Sequence, residues 1–145
     1  MSEIYERDGV FGYFIDRTAR LIKSDISRRF KAVNVDLTPE QWLVLDRLGK
    51  KDGRSQVEIG ERTYKDAPTI SRIVDLLCKK GFTERRLHEK DRRKFNIHIT
   101  EAGRTILARS SPEVIQARKD GWQDLNDEDY GHLIRIVNKV FDNLS

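Results

Sequence analysis

The sequence is poor in the residues that mark secreted, membrane-spanning and metal-binding proteins. It has one cysteine, Cys78, in 145 residues, and a single thiol cannot form an internal disulfide or a cysteine-based metal framework. No apolar run approaches the roughly 18 residues that a membrane-spanning helix needs. The opening stretch MSEIYERDG carries acidic residues and lacks the apolar core of a signal peptide. These features lead us to expect a cytoplasmic protein with no membrane partner.

The chain also offers little for catalysis. It has three histidines, His88, His98 and His132, and with one cysteine they make no convincing metal constellation. A phosphate-binding loop, a nucleophile elbow and a clear acid–base pair are all absent from the sequence. We therefore expect no enzymatic activity, no cofactor and no metal. A small enzyme or metal-binding protein that uses the histidines is the alternative of a different class.

Charge, by contrast, is abundant and unevenly distributed. Charged residues make up 36% of the chain, and the net charge is only +4. The stretch from Arg54 to Arg104 holds 13 basic and 8 acidic residues, whereas the remainder holds 15 basic and 16 acidic ones. A positive region in the middle of the chain favours a polyanionic partner, although charged faces are often only solvated.

Helical periodicity dominates both ends of the chain. Near the N-terminus the spacing of apolar residues predicts a helix of about 23 residues, roughly 35 Å long. A second stripe near the C-terminus begins after Asn126, which with Asp129 has the spacing of a helix start. The two stripes comprise Phe11, Phe14, Ile15, Leu21, Ile22, Ile26, Phe30 and Val33, and Leu133, Ile134, Val137, Val140, Phe141 and Leu144. Helices with such long apolar faces need something to cover them.

Two short helices are predicted in the middle of the chain, after a helix that begins near Thr38 and Pro39 and ends before Gly53. Ser55 and Glu58 have capping-box spacing at the start of the first. Pro68 belongs in the first turn of the second, because proline cannot donate a backbone hydrogen bond. This order resembles a helix-turn-helix, but many helical hairpins that bind no DNA look alike.

A β-hairpin is predicted next. Phe95, Ile97 and Ile99 alternate with polar residues, which is the period of a strand. The charged segment HEKDRRK, residues 88–94, would join this strand to a preceding one over residues 82–87. The sequence thus predicts a mainly α fold with a small β-hairpin wing: a winged helix-turn-helix domain with additional terminal helices. Pro112 is expected to bend or interrupt the helix that Thr100 caps.

Several of these segments together resemble the MarR family of bacterial transcription regulators. The run GFTERRLHEKDRRKFNIHITEAG, residues 81–103, is similar to that family's wing, APTISRIVDLLCKKG to its recognition helix, and LTPEQWLVLDRL to the helix before them. The resemblance implies one MarR-type domain over residues 1–145. Within it, residues 36–100 would form the DNA-binding lobe, and residues 10–34 and 101–145 the dimerisation helices.

The resemblance also implies roles for the wing tip. In the family the arginine of the D-x-R tip enters the DNA minor groove, which corresponds to Arg93 here, and narrow A·T-rich grooves attract arginine. Asp91 would bind an arginine and shape the tip, while Arg92 and Lys94 would attract phosphates. Relatives often have Pro-Asp where this chain has Leu87-His88, so the first part of the tip departs from the pattern.

The second short helix is expected to enter the major groove. With its apolar side buried, it would present Pro68, Thr69, Ser71 and Arg72 to DNA. Thr69 and Ser71 can contact phosphate or a base edge, and Arg72 could bind guanine through two hydrogen bonds. A solvated surface helix is the simpler alternative for Arg72.

The terminal stripes and the family resemblance favour a homodimer, which would bind an inverted repeat; a self-contained monomeric bundle is the alternative.

Family members often bind a small aromatic effector, for which Phe11, Tyr13, Phe14 and Trp42 are candidates, although apolar residues at helical spacing usually belong to the core. The main hypothesis is therefore a homodimeric DNA-binding transcription regulator, most often a repressor. The alternative is a winged-helix protein–protein adaptor whose basic wing is only solvated.

Overall fold

The computed structural model describes residues 10–145; the acidic stretch MSEIYERDG lies outside the described residues. Within the described part, six helices and three short strands follow one another along the chain. The helices are α1 (Phe11–Ala32), α2 (Pro39–Lys50), α3 (Gln56–Thr63), α4 (Ala67–Lys79), α5 (Glu101–Gly121) and α6 (Asp127–Leu144), and the strands are β1 (Arg54–Ser55), β2 (Thr83–Leu87) and β3 (Phe95–Ile99). The predicted mainly α fold with a small β wing is confirmed.

Side-chain caps fix most helix starts at the predicted places. Thr38 and Gln41 form a reciprocal capping box on α2, and Asn126 and Asp129 form one on α6. Ser55 caps α3, and Thr100 caps α5. These are local hydrogen bonds to backbone N–H groups that have no partner within the helix, so the sequence spacing alone predicts them.

Two details of the helices refine the prediction. Pro68 lies in the first turn of the second short helix, α4, as predicted; the helix begins at Ala67, because Asp66 is its cap and accepts a hydrogen bond from the Thr69 N–H at 2.8 Å. Proline fits this first turn, where N–H groups lack helical partners. Pro112, which is expected to bend or interrupt its helix, does not interrupt it: α5 continues through this residue from Glu101 to Gly121.

The sheet has three strands in the order β1-β3-β2. β2 and β3 form the predicted antiparallel hairpin, with Thr83 opposite Ile99 and Leu87 opposite Phe95. β1 adds a short third strand, in which Arg54 pairs with Ile97. A strand of two residues is too short to show a period of two, so the sequence pattern does not reveal it.

The apolar core lies within the lobe formed by α2 to β3. α1 contributes Phe30 from its last turns, α5 contributes Ile106 and Val114, and α6 has no buried residue. The buried apolar residues are Phe30, Val35, Leu37, Trp42, Val44, Leu45, Leu48, Ile59, Ile70, Ile73, Val74, Leu77, Ile97, Ile99, Ile106 and Val114. This core holds the helix-turn-helix and the wing in one body.

The apolar faces of the terminal helices are largely exposed in the single chain. On α1, Leu21 is 68% exposed and Ile22 56%; on α6, Leu133 is 45% exposed and Phe141 54%. None of the helices in residues 10–145 combines the length and apolar character needed to cross a membrane. Apolar stripes of this size in a single chain need a covering surface.

Candidate nucleic-acid interface

The predicted recognition helix is α4, and its position follows from its buried side. Ile70, Ile73, Val74 and Leu77 pack into the core, which turns the opposite side of α4 to solvent. Arg72 is exposed there, as are Ala67 and Pro68 at the helix start, while Thr69 and Ser71 are half-buried. Arg72 is thus the cation among the predicted contacts of this helix, and it is exposed to solvent.

The start of α4 is electrostatically fixed by its cap. Hydrogen bonding from Thr69 lowers the pKa of the Asp66 carboxyl, because these bonds favour its charged form. A negative charge at a helix N-terminus also interacts favourably with the helix dipole. The cap therefore anchors the first turn of α4, the part of a recognition helix that commonly approaches the bases.

The wing tip, residues 88–94, is closed by hydrogen bonds among its own residues. The His88 N–H donates to the Lys94 carbonyl at 2.9 Å, and the Lys94 N–H donates to the Asp91 carbonyl at 3.0 Å. Asp91 Oδ1 accepts from the Arg93 N–H at 3.0 Å and from Arg93 Nε at 3.1 Å. Hydrogen bonds from Arg93 lower the pKa of the Asp91 carboxyl, so it stays charged at neutral pH.

Asp91 anchors the Arg93 side chain through its Nε, but the side chain remains exposed to solvent. The Arg93 side chain is 90% exposed although it is paired with Asp91. Arg92 and Lys94 on either side of it are exposed as well. The tip therefore presents three neighbouring cations on a loop whose backbone is fixed by internal hydrogen bonds.

The structure assigns His88 a place in the tip that the sequence reasoning did not foresee. Its Nδ1 accepts hydrogen bonds from the Lys90 N–H at 3.1 Å and from the Asp91 N–H at 3.2 Å. A polar residue directly before a turn is the only signal that could have suggested this role, and imidazole seldom plays it.

The wing and the recognition helix are joined by an arginine that the sequence reasoning also missed. Arg85 on β2 forms an ion pair with Asp75 on α4 and donates a hydrogen bond to Gln56 of α3 at 3.2 Å. Asp75 follows Arg72 by about one turn of the helix. One guanidinium thus ties both helices of the helix-turn-helix to the wing. This contact joins residues far apart in sequence, so no local pattern predicts it.

The four candidate effector residues do not form one site within the single chain. Tyr13 and Phe14 pack edge-on with ring centroids 5.9 Å apart, and they and Phe11 are exposed on the first turns of α1. Trp42 is buried in the core, where its Nε1 donates to Ser111 Oγ at 3.3 Å and Arg118 lies over its ring. Trp42 thus contacts α5 instead of the start of α1.

The histidines and Cys78 make separate contacts. His98 Nδ1 lies 3.6 Å from Asp52 Oδ2 beside the turn at Gly53, and Cys78 Sγ lies 3.2 Å from the Thr83 hydroxyl. Across residues 10–145, no three His, Cys, Asp or Glu side chains are grouped closely enough to hold a metal ion.

A comparison with family models identifies the lobe that carries these features. Residues 35–94, from the loop before α2 to the last residue of the wing tip, match the model of the MarR family. This lobe is similar to the MarR family over 60 of the 145 residues of the chain. This agrees with the resemblance seen in the sequence of the wing and the recognition helix.

One curated relative is the HTH-type transcriptional repressor YetL of Bacillus subtilis (strain 168). It is 29% identical to this chain over 96 residues, which are 66% of this chain and 58% of that protein. The matched region thus spans less than two thirds of the relative.

Solved structures share this fold over nearly the whole chain. The S. aureus MepR–DNA complex superposes with a TM-score of 0.83 and 20% identity, covering 92% of this chain and 97% of that one. Bordetella bronchiseptica BpsR, whose DNA binding is regulated by 6-hydroxynicotinic acid, has a TM-score of 0.81 and 21% identity, covering 90% and 92%. At these identities the likeness establishes the fold.

Proposed function

We propose that this protein is a sequence-specific DNA-binding transcription regulator that acts as a homodimeric repressor. The observation that carries this proposal is the fixed arrangement of two cationic elements. Arg72 on α4 and Arg93 on the wing tip are both exposed, and the Arg85–Asp75 pair joins the elements that bear them. Such a pair of elements suits a major groove and the minor groove beside it.

In this proposal the cations divide the work by position. Arg72, with Pro68, Thr69 and Ser71 beside it, approaches base edges in the major groove. Arg93 enters the minor groove, and Asp91 positions it by accepting hydrogen bonds from its backbone N–H and its Nε. Arg92 and Lys94 contact phosphates. Phosphate contacts supply affinity and register, and base contacts supply specificity.

The proposed dimer follows from the exposed stripes of α1 and α6. We assign residues 36–100 to the DNA-binding lobe, and residues 10–34 and 101–145 to dimerisation, within one domain over residues 1–145. Pairing two copies through these helices would cover Leu21, Ile22, Leu133 and Phe141. A twofold dimer would present its two α4 helices to half-sites about one turn of the DNA helix apart. Its place of action would be the cytoplasm, on chromosomal DNA.

We further propose that a small aromatic effector can release the DNA. BpsR, a protein of the same fold, is regulated by such a compound. Phe11, Tyr13 and Phe14 are exposed on α1, and in a dimer they would meet residues of the second copy. An effector acts only if it binds the DNA-free conformation more tightly than the DNA-bound one.

The test is selection of bound duplexes from a random pool, followed by a salt titration of the selected sequence. We expect an inverted repeat with A·T-rich positions where the wings lie, and an affinity that falls steeply with salt. A protein that binds no duplex even at low salt would contradict the proposal and favour the adaptor alternative. Binding without any sequence preference would contradict its specific part.

A further inference from the structure

His88 occupies the position in the wing tip where proteins commonly place a short polar side chain. A residue that accepts hydrogen bonds from the N–H groups two and three positions later is usually Asp, Asn, Ser or Thr. Here the imidazole Nδ1 does so, with the Lys90 N–H at 3.1 Å and the Asp91 N–H at 3.2 Å. Both contacts require a lone pair on Nδ1, so the proton of the neutral ring resides on Nε2.

These contacts begin a series of hydrogen bonds that extends to Arg93. His88 Nδ1 accepts from the Asp91 N–H, and the Asp91 carboxylate accepts from the Arg93 N–H and Nε. The His88 N–H in turn donates to the Lys94 carbonyl. The position of the Arg93 side chain thus depends on a turn that His88 closes. His88 touches no partner directly in this arrangement, so its role is to position other residues.

Protonation would abolish the contacts that His88 makes. A doubly protonated imidazole has a donor at each nitrogen and no acceptor. The N–H of protonated Nδ1 would then point at the N–H groups of Lys90 and Asp91, and no hydrogen bond could form. Histidine side chains ordinarily change charge between about pH 5 and pH 8. Asp, Asn, Ser or Thr at this place would accept the same bonds without titrating in that range.

We propose that His88 is a positioning residue of the wing whose protonation releases the tip and weakens specific DNA binding at mildly acidic pH. This inference rests on the proposed function for its DNA readout. The wing geometry of the free protein provides a separate readout. Leu87-His88, which stands where relatives often have Pro-Asp, would thus make the wing sensitive to protonation.

Other charged groups face His88, and the experiment must separate them from it. The neighbours on the hairpin include both signs of charge. Further groups lie opposite them, across a groove between the hairpin and residues 51–58 at the start of α3. They are Arg86, Glu89, Lys90, Asp91, Lys94 and His98 on the hairpin, and Lys51 and Glu58 across the groove. All of them remain in a His88→Asn variant, so the comparison of wild type with that variant removes their contributions.

The first experiment measures affinity for the selected duplex and for a scrambled duplex at about pH 7.5 and pH 5.5. At pH 7.5 we expect His88→Ala to lower specific affinity about 5- to 30-fold, the equivalent of one or two hydrogen bonds. His88→Asn should restore it, because its Oδ1 accepts from the same N–H groups. At pH 5.5 the ratio of specific to scrambled affinity should fall for wild type and stay constant for His88→Asn.

The ratio matters because the charge on protonated His88 would itself attract phosphate. That attraction raises affinity for both duplexes alike, whereas a released tip lowers only the specific affinity. If His88→Ala matches wild type at pH 7.5, or if wild type and His88→Asn have the same pH profile, the inference is overturned.

A second experiment on the DNA-free protein separates this inference from the proposed function. Hydrogen exchange by NMR should show the Lys90 and Asp91 amides protected at pH 7.5 in wild type and in His88→Asn. At pH 5.5 we expect that protection to fall in wild type alone. Equal protection in both proteins at both pH values would overturn the wing role. A wild type that binds no duplex would instead refute the proposed function and leave this readout decisive.

Discussion

Arg29 on α1 binds Asp120 on α5, with Nη2 and Oδ2 separated by 2.7 Å. The same guanidinium donates from Nε to Asp25 Oδ2 at 2.8 Å, and Gln116 donates to the other Asp120 oxygen at 2.9 Å. Hydrogen bonding with Asp120 raises the pKa of Arg29, and hydrogen bonding from Arg29 lowers the pKa of Asp120. This pair connects the first helix to the helix that leaves the wing.

The Arg29–Asp120 pair should make stability depend on acid pH. Because the pKa of Asp120 is lower in the folded state, its contribution is present above the unfolded value of about 3.9 and is lost as the pH falls through the folded value. We expect Asp120→Asn to lower the melting temperature at pH 7. The difference from wild type should shrink as the pH falls from about 5 toward 2, in thermal unfolding at fixed protein concentration.

Asp16→Asn is the matched control for that experiment, since it removes a carboxylate from the exposed Arg20–Asp16 pair on α1. Exposed pairs within one helix contribute little to stability. A constant gap between wild type and Asp120→Asn at every pH would show that the pair does not carry the acid dependence.

Gly103 should tolerate no side chain, because α5 passes closely over the base of the wing there. A Cβ on Gly103 would lie 2.1 Å from the Phe82 carbonyl oxygen and 2.7 Å from Ile99 Cγ1. We expect Gly103→Ala to lower the free energy of unfolding by about 1–3 kcal/mol or more, measured by urea denaturation. Gly121→Ala, where a Cβ meets nothing within 4 Å, should be nearly neutral; equal losses in both variants would refute this account.

The proposed dimerisation through α6 predicts that a charge on its apolar face separates the subunits. Ile134 lies in that stripe and is 38% exposed in the single chain. Ile134→Glu should give a monomer in size-exclusion chromatography with light scattering, since an unpaired charge is costly to bury. Lys139→Glu places the same side chain on the polar face of α6 and should leave the dimer intact. A dimeric Ile134→Glu protein would place the interface elsewhere.

Removal of Arg93 should weaken DNA binding and its dependence on salt together. We expect Arg93→Ala to lower operator affinity about tenfold or more, as for other arginine contacts in a groove. The slope of log affinity against log salt should decrease by about one for each wing, because fewer counterions are released. Arg20→Ala is the control, because Arg20 on α1 is also largely exposed and paired with a carboxylate on its own element. An unchanged slope in Arg93→Ala would exclude a DNA contact.

The caps and the turns were predictable because their hydrogen bonds join residues three or four positions apart. Thr38, Ser55, Thr100 and Asn126 all cap helices at the expected places. Gly53 and Gly81 have the positive φ values, 70° and 81°, that a turn and a helix end require. Such features need only the local sequence and the geometry of the backbone.

The Arg85–Asp75 pair and strand β1 could not be predicted in this way. Asp75 lies ten residues before Arg85, on an element of different type, and charge pairing offers many equivalent partners in a chain that is 36% charged. Arg54 finds its partner Ile97 across more than forty residues. Only the packed core brings these residues together, so no spacing rule applies to them.

The sequence by itself determined the helices, the hairpin and the charged tip, because periodicity, capping and turn chemistry act over a few residues. The tertiary structure decided how Arg72 and Arg93 are fixed relative to each other, and it left the apolar faces of α1 and α6 uncovered. Those outcomes depend on which surfaces the shared core consumes. The core closes around α2 to β3, so the remaining stripes are available to a second copy.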